Sequence, residues 1–406
     1  MPDTVEAQKR LVLLGRAFSP AAPIAQRELF LGRFDQLEST CDAVNERGQH
    51  FVLYGERGVG KTSLANIISS ALQNVVVAKV TCNRQEDFKN VWQKALAKIR
   101  FRKENEGLGF VPEKAVREIQ LDLFLPNRTE IDSLDVQEVL EKVGENLLFI
   151  FDEFDSIHDE AFKASFADTI KTLSDNAPHV TVGIVGIADS VESLIGKHPS
   201  VERCLRQIAM PRMSDEELGL IIDKGTRMVE LEIDPDVAGR IVAFSSGFPH
   251  YTHLLAKYAA KHCMIAGSER IDMDDFTKAI EDAIANANQS IRDAYQKAVT
   301  TSRSKSKFED VVAACALAPV DEFGTFAIRD LEGPYYRVTG QVVTPQSLSY
   351  NLRKLTEADR GSVLKRIDAA KNIRYQFANP LMKVYVRMKL EMRGSHARPR
   401  LIDPPP

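Results

Sequence analysis

The segment Gly55-Glu-Arg-Gly-Val-Gly-Lys-Thr62 has residue types and a spacing that suit the binding of phosphate groups. Its glycines let backbone N–H groups curl around an anion, and the helix expected after it adds a positive end. We expect Lys61 to reach the β- and γ-phosphates of a nucleoside triphosphate and Thr62 to ligate Mg²⁺. The predicted nucleotide-binding residues here are Gly55, Glu56, Arg57, Gly58, Val59, Gly60, Lys61, Thr62 and Ser63.

Two carboxylates stand at the end of the apolar run Leu147-Leu-Phe-Ile-Phe-Asp-Glu153. Ligands of parallel sheets bind at the carboxyl ends of the strands, so both side chains are placed for chemistry. We expect Asp152 to hold Mg²⁺ and Glu153 to polarise the water that attacks the γ-phosphate, with Lys61 assisting catalysis. Asp155 is expected to cap the following turn. The pattern predicts Mg²⁺·ATP as the ligand.

Three further positions have two interpretations each. Asp189, with its neighbour Ser190, either contacts the γ-phosphate or begins the next helix as an N-cap. Arg203 and Arg206 either face the ATP of a neighbouring subunit, as arginine fingers do, or form surface salt bridges. The sequence leaves both questions open.

A parallel sheet is needed to position these residues. Apolar or β-branched runs alternate with helical stretches, which predicts βαβ units and an α/β fold over residues 34–212. The first thirty residues are expected to be irregular, and residues 1–33 are expected to pack near the nucleotide. Part of the interval 101–128 is expected to be an insertion. The predicted strands are His50–Tyr54, Val75–Val80, Leu147–Phe151, Val180–Ile187 and Gln207–Met210.

The second half of the chain is predicted to be mainly helical. Ser214-Asp-Glu-Glu217 opens an all-α lid of two to four helices over residues 213–299, followed by a polar linker at 300–307. The order helix, helix, helix and hairpin over 308–392 predicts a winged helix-turn-helix, and 393–406 is predicted to be a disordered tail.

A basic helix and wing in this last domain could bind double-stranded DNA. Winged helices also contact proteins, so that alternative stays open. The predicted DNA-binding residues are Arg353, Lys354, Lys365, Arg366 and Arg374.

Length and composition narrow the class of protein. A chain of 406 residues is expected to form two or three domains. The net charge of −4 gives no overall attraction to nucleic acid, so any DNA contact has to come from a local basic patch. Neither a long apolar run nor a signal peptide is evident, which predicts a cytoplasmic location and no membrane partner. The five cysteines form no C-x-x-C pair, which argues against a zinc knuckle.

Five features in order resemble AAA+ ATPases of the origin-recognition/initiator type and the related STAND ATPases. They are Phe30-Leu-Gly-Arg33, the phosphate loop, Phe151-Asp-Glu-Phe-Asp155, Gly247-Phe-Pro249 and the winged helix. The resemblance implies an AAA+ core, a helical lid that brings Pro249 over the nucleotide, and ATP-controlled assembly with copies of itself or a partner protein. It also implies an adenine pocket formed partly by Leu31, Gly32 and Arg33.

Two departures from the family pattern qualify this expectation. Ala188-Asp189 stands where initiators usually have Asn, and His250 stands where their lid usually has Arg. Hydrolysis is therefore expected to be slow or switch-like. The leading hypothesis is an ATPase whose nucleotide state controls assembly and DNA engagement through the winged helix. The alternatives are a STAND-type signalling or antiviral-defence switch whose winged helix contacts protein, and a transposition or replication-loading ATPase.

Overall fold

The computed structural model describes residues 4–20, 22–24, 30–105, 115–188, 190–196, 199–300, 307–321, 324–369 and 372–394. The chain divides into two compact units. The core unit comprises residues 23–56 and 60–210. The C-terminal unit comprises residues 1–22, 57–59 and 211–406.

The helices and strands are numbered in chain order. Up to residue 210 they are α1 (Thr4–Ala17), α2 (Phe34–Asn45), β1 (His50–Gly55), α3 (Lys61–Ala71), β2 (Val76–Thr81), α4 (Phe88–Ala97), β3 (Arg100–Asn105), β4 (Ala115–Gln120), α5 (Ser133–Leu140), β5 (Leu147–Asp152), α6 (Glu160–Asn176), β6 (Val180–Ile187), α7 (Val191–Ile195) and β7 (Leu205–Ala209). After residue 210 they are α8 (Asp215–Met228), β8 (Glu232–Ile233), α9 (Pro235–Ser245), α10 (Pro249–Ala266), β9 (Arg270–Ile271), α11 (Met273–Ala285), α12 (Gln289–Val299), α13 (Lys307–Leu317), β10 (Phe326–Ala327), α14 (Glu332–Thr339), α15 (Pro345–Leu355), β11 (Leu364–Ala369), β12 (Asn372–Phe377) and α16 (Leu381–Gly394).

The core unit is built on a five-stranded parallel sheet in the order β2-β5-β6-β1-β7. Strand β5 is buried along its whole length, as expected for a parallel strand that is covered on both faces. Its side chains meet α4 and α6 in an aromatic cluster, where the Trp92 ring centroid lies 5.1 Å from that of Phe151 and 5.6 Å from that of Phe166. The predicted parallel sheet with flanking helices is confirmed.

Between α4 and α5 the chain forms an antiparallel hairpin, β3–β4, in which Arg100 pairs with Gln120. The hairpin is a separate two-stranded sheet and does not extend the parallel sheet. The structure therefore has a hairpin in the interval 101–128, part of which is expected from the sequence to be an insertion.

In the C-terminal unit the lid region holds five helices, α8 to α12, where the sequence analysis expects two to four. The predicted start of α8 is confirmed by a capping box. The Ser214 hydroxyl accepts the Glu217 N–H at 3.2 Å, and the Glu217 carboxylate accepts the Ser214 N–H at 2.9 Å. Helices α10 and α11 are neighbours in this bundle. The short connection Ser246-Gly247-Phe248 separates α9 from α10.

The expectation of an irregular N-terminus is wrong, because Thr4–Ala17 is helical. Helix α1 contacts α8 and α10 of the C-terminal unit. Phe18, the residue that follows α1, is fully buried. The Phe18 ring lies so close to Gly225 of α8 that a Cβ there would stand 2.2 Å from it. The small residue at 225 thus makes room for the ring that anchors α1.

The predicted winged helix-turn-helix is present as α13, α14 and α15 followed by the hairpin β11–β12. Strand β10 pairs with β12, giving a three-stranded sheet in the order β10-β12-β11. Helix α16, which the sequence analysis does not predict, follows the hairpin and contacts α13. Most of the predicted linker, 301–306, and the predicted tail beyond residue 394 lie outside the described residues. None of the described helices is long and apolar enough to cross a bilayer.

Candidate nucleotide-binding site

The phosphate loop leaves the carboxyl end of β1, which lies between β6 and the edge strand β7 of the parallel sheet. Gly55 has φ 148°, and a Cβ at this position would stand 2.5 Å from the Met210 carbonyl oxygen. The Met210 N–H in turn donates to the Tyr54 carbonyl at 2.8 Å. Only glycine fits this close approach. Gly60, with φ 99°, ends the loop as the N-cap residue of α3.

Lys61 is the first residue of α3 and is only 7% exposed. Its ammonium donates to the Gly55 carbonyl at 2.9 Å and to the Glu56 carbonyl at 2.7 Å. Burial lowers the pKa of Lys61 to about 8, against the opposing attraction of nearby carboxylates. The loop therefore holds a cation over its own carbonyl groups.

Thr62 and Asp152 lie together, although they are ninety positions apart in the chain. The Thr62 hydroxyl donates to Asp152 Oδ1 at 3.3 Å, and the Glu153 N–H donates to the same oxygen at 3.0 Å. Glu153 is exposed and has φ 55°, a left-handed conformation that is uncommon for a residue other than glycine. The two predicted metal ligands and the predicted base are thus brought to one place.

Asp155 joins this site to the end of β6. Its Oδ1 accepts the Ile187 N–H at 2.8 Å, and the next N–H, that of Ala188, donates to the Gly55 carbonyl at 3.4 Å. The residue predicted to cap the following turn therefore ties the turn after β5 to the end of β6. Asp189 lies outside the described residues, while Ser190 occupies the N-cap position of α7 without a side-chain capping hydrogen bond.

Two residues of the site were missed in the sequence analysis. Lys79, on β2, places its ammonium 2.9 Å from Asp152 Oδ2 and also donates to Asn66 Oδ1 at 2.6 Å. Asn66 is on α3, one turn beyond Thr62. A lysine inside the otherwise apolar run Val75–Val80 is a signal that could have drawn attention to this position.

The two candidate arginine fingers both form ion pairs within the core unit. Arg203 Nη2 lies 2.6 Å from Asp175 Oδ1. Arg206 Nη2 lies 3.1 Å from Glu46 Oε2, and its Nη1 lies 3.5 Å from Asp42 Oδ2. The Arg203 side chain is 68% exposed and that of Arg206 is 31% exposed. Of the two, Arg203 is therefore the more accessible to another molecule.

The segment predicted to shape the adenine pocket precedes α2. Gly32 and Arg33 both have left-handed backbone conformations, with φ 70° and 60°, and Arg33 is buried as the N-cap residue of α2. Leu31 is half-buried. Nearby, the Ile24 N–H donates to the Ser63 hydroxyl at 3.1 Å, which ties this region to the phosphate-loop helix.

The remaining predicted nucleotide contacts belong to the C-terminal unit. Pro249 is the first residue of α10, where a proline suits the helix start because no N–H is needed there. The following His250 has its Nδ1 2.8 Å from the Pro20 carbonyl oxygen. Arg57, Gly58 and Val59, at the tip of the loop, are grouped with the same unit.

The predicted DNA-binding residues differ in how accessible they are. Arg353 on α15 is exposed, as are Lys365 and Arg366 on β11. Lys354 instead lies 2.5 Å from Glu357 Oε2. Arg374 on β12 lies 3.0 Å from Asp321 Oδ2 and donates to the Thr325 carbonyl at 2.9 Å, so it holds the sheet to the preceding turn.

A parallel sheet with a phosphate loop after β1, and an acidic pair after β5, the next strand but one in the sheet, defines the P-loop AAA+ fold. The sequence of residues 18–303 matches the family model described as Novel STAND NTPase 1. The chain belongs to this family of NTPases. The predicted relation to STAND proteins is confirmed. No curated protein matches the sequence.

Solved structures share the architecture over nearly the whole chain. The Walker-type ATPase PABY2304 of Pyrococcus abyssi is similar with a TM-score of 0.53 and 16% identity, over 90% of this chain and 99% of its own. The ORC2 protein of Aeropyrum pernix, determined as ADPNP and ADP complexes, is similar with a TM-score of 0.50 and 15% identity, over 93% of this chain and 98% of its own. At these identities the likeness describes the fold alone.

Proposed function

We propose that this ATPase binds Mg²⁺·ATP between the phosphate loop and Asp152, and that its nucleotide state controls assembly and the engagement of double-stranded DNA by the winged helix. The observation that carries the nucleotide part is the meeting of the Thr62 hydroxyl with Asp152 Oδ1 beside the buried Lys61. The DNA part rests on the exposed cations Arg353 and Lys365.

The residues fit a magnesium ion. A hydroxyl and a carboxylate oxygen lie side by side, and these are the hard oxygen donors that Mg²⁺ prefers. Among the described residues there is no group of three or more His, Cys, Asp or Glu side chains that could hold a metal. The proposed ion would therefore rely on phosphate and water oxygens, as Mg²⁺ in nucleotide sites usually does. When bound, it would neutralise charge on the phosphates.

The roles of the chain's own residues follow from their positions. Lys61 would exchange the Gly55 and Glu56 carbonyls for phosphate oxygens, which are stronger acceptors for an ammonium group. The Glu153 carboxylate is exposed just after β5 and accepts no hydrogen bond from the described residues, so it can take the proton of an attacking water. The left-handed backbone at Glu153 fits a functional constraint on that position.

The nucleotide site is tested by two substitutions with different expected outcomes. Lys61→Ala should abolish ATP binding measured with a fluorescent ATP analogue. Glu153→Gln should keep the affinity and lower the turnover number by about 10²- to 10³-fold, the usual contribution of a general base. Wild-type turnover in Glu153→Gln would remove Glu153 from the mechanism, and unchanged binding in Lys61→Ala would refute the site itself.

The DNA part is tested by charge reversal on the winged helix. The double variant Arg353→Glu, Lys365→Glu should bind duplex DNA more weakly at 50 mM salt. The slope of the logarithm of its association constant against the logarithm of the salt concentration should be smaller in magnitude by about 2. Lys278→Glu changes an exposed lysine on α11 and is the matched control. Wild-type protein with ATP that has no affinity for DNA at 50 mM salt would refute this part of the proposal.

A signalling switch is the second candidate. It is favoured by membership of a STAND family and by the ion pairs of Lys354 and Arg374, which leave fewer cations for phosphate contacts. In this case the winged helix would contact a protein, and ATP would change the oligomeric state without any DNA. Mass photometry with a non-hydrolysable ATP analogue and with ADP, in the absence and presence of duplex DNA, separates the two candidates.

A further inference from the structure

Lys79 on β2 has a defined place beside Asp152. We propose that it is the resident counter-cation of Asp152, a positioning residue that fixes the carboxylate and disfavours a metal ion unless nucleotide is present. The inference rests on the proposed role of Asp152 in metal binding. It goes further by stating how the site discriminates between free Mg²⁺ and Mg²⁺·ATP.

The sheet register places Lys79 beside Asp152. Thr81 of β2 pairs with Asp152 of β5, and Lys79 is two residues before Thr81. Because side chains alternate along a strand, Lys79 and Thr81 share the face on which Asp152 lies. The residues between and before them, Val80 and Ala78, are buried in the aromatic core on the opposite face. The position of the ammonium is therefore fixed by the backbone pairing of two neighbouring strands.

The Lys79 ammonium group contacts two acceptors. It lies 2.9 Å from Asp152 Oδ2 and donates to Asn66 Oδ1 at 2.6 Å. The side chains of Lys79 and Asp152 are 22% and 5% exposed, so water screens the pair only weakly. Asn66 lies on the same helix as Thr62, one turn further on. Helix α3 thus contributes Thr62 to the carboxylate directly and holds Lys79 in place through Asn66.

The two oxygens of Asp152 therefore have separate tasks. Oδ1 accepts the Thr62 hydroxyl and the Glu153 N–H, while Oδ2 accepts the Lys79 ammonium. The carboxylate cannot turn both oxygens toward an ion without losing the pair with Lys79. A fixed positive charge next to the carboxylate also repels a divalent cation. Free metal is thereby disfavoured, whereas the negative charge of a triphosphate offsets the repulsion.

The test measures Mn²⁺ binding to nucleotide-free protein by electron paramagnetic resonance, with Mn²⁺ as the probe. Lys79→Met removes the charge at nearly constant length and should raise the Mn²⁺ affinity at least tenfold. Lys79→Gln is a second neutral variant that can still donate to Asn66, in case the first does not fold. Lys79→Arg should stay at the wild-type affinity. Lys142→Met, a substitution of an exposed lysine elsewhere in the core unit, is the matched control.

Adding Asp152→Asn to Lys79→Met should abolish the gain, because the gain depends on the carboxylate. Equal Mn²⁺ affinity of wild type and both neutral Lys79 variants would overturn the inference. So would a gain that survives Asp152→Asn. These results need no nucleotide, so they are independent of the Lys61→Ala experiment. If the neutral Lys79 variants do not gain Mn²⁺ affinity but Lys61→Ala abolishes ATP binding, only the role of Lys79 is refuted. If they do gain Mn²⁺ affinity but Lys61→Ala leaves ATP binding unchanged, only the nucleotide site is refuted.

Discussion

Acid should weaken the core unit through His50, the first residue of β1. The imidazole is fully buried, and its Nδ1 accepts the N–H of Val182 on the neighbouring strand β6 at 2.9 Å. Burial lowers the pKa of His50 to about 4. The neutral ring therefore joins the neighbouring strands β1 and β6 at the end opposite the phosphate loop, and protonation would remove the acceptor.

The direction of the effect follows from the two pKa values. In the unfolded chain the pKa of His50 is about 6.5, so below this pH the unfolded state takes up a proton that the folded state does not. The stability is complete above pH 6.5 and is lost progressively as the pH falls toward 4. With a folded pKa of about 4, linkage gives a loss of about 2 kcal/mol at pH 5. That is a large share of the free energy of unfolding of a typical domain, which is about 5–15 kcal/mol.

Urea unfolding followed by fluorescence measures this loss in the core unit alone. Trp92 is the single tryptophan of the sequence and lies in the aromatic cluster of the core unit. His50→Asn is the matched variant, since its side-chain oxygen can accept the Val182 N–H but does not titrate. Between pH 7.5 and 5 the wild type should lose about 2 kcal/mol more than His50→Asn. Equal losses in the two proteins would refute the assignment.

Two further substitutions test packing at the site and at the N-terminus. Gly55→Ala places a Cβ 2.5 Å from the Met210 carbonyl oxygen at a residue of positive φ. It should lower the free energy of unfolding of the core unit by about 1–3 kcal/mol, measured by Trp92 fluorescence, and weaken ATP binding. Gly144→Ala, with open space around it, should have neither effect. Phe18→Ala should destabilise the C-terminal unit by about 3–5 kcal/mol, seen as faster hydrogen exchange in α8 and α10, and unchanged exchange there would show that α1 is not anchored by this ring.

The parallel sheet and the phosphate loop could be predicted from the sequence because each depends on local pattern. Buried parallel strands are continuous apolar runs, and the loop's glycines and Lys61 have a fixed spacing. The start of α8 was equally local, since Ser214 and Glu217 cap one another. These features needed no knowledge of distant residues.

The missed features depend on contacts between distant parts of the chain. Helix α1 is supported by contacts with α8 and α10. The Pro-rich stretch after Phe18 favours an irregular segment, so the helix before it was not predicted. Helix α16 similarly rests on α13. The partnership of Lys79 with Asp152 follows from strand order, because β2 is next to β5 in the sheet although a hairpin and two helices separate them in the chain. A sequence without strand order cannot specify that pair.

The contacts of Asp152 indicate how a change at the proposed nucleotide site would reach the rest of the core unit. Its side chain receives Thr62 from α3 and Lys79 from β2, and the following turn is tied to β6 through Asp155. An ion on this carboxylate has to compete with one of the first two contacts. Because α3 also holds Lys79 through Asn66, that competition acts on a helix and an edge strand together. Such a shared, partly buried network has few intermediate arrangements, which is the property that the proposed nucleotide-controlled switch needs.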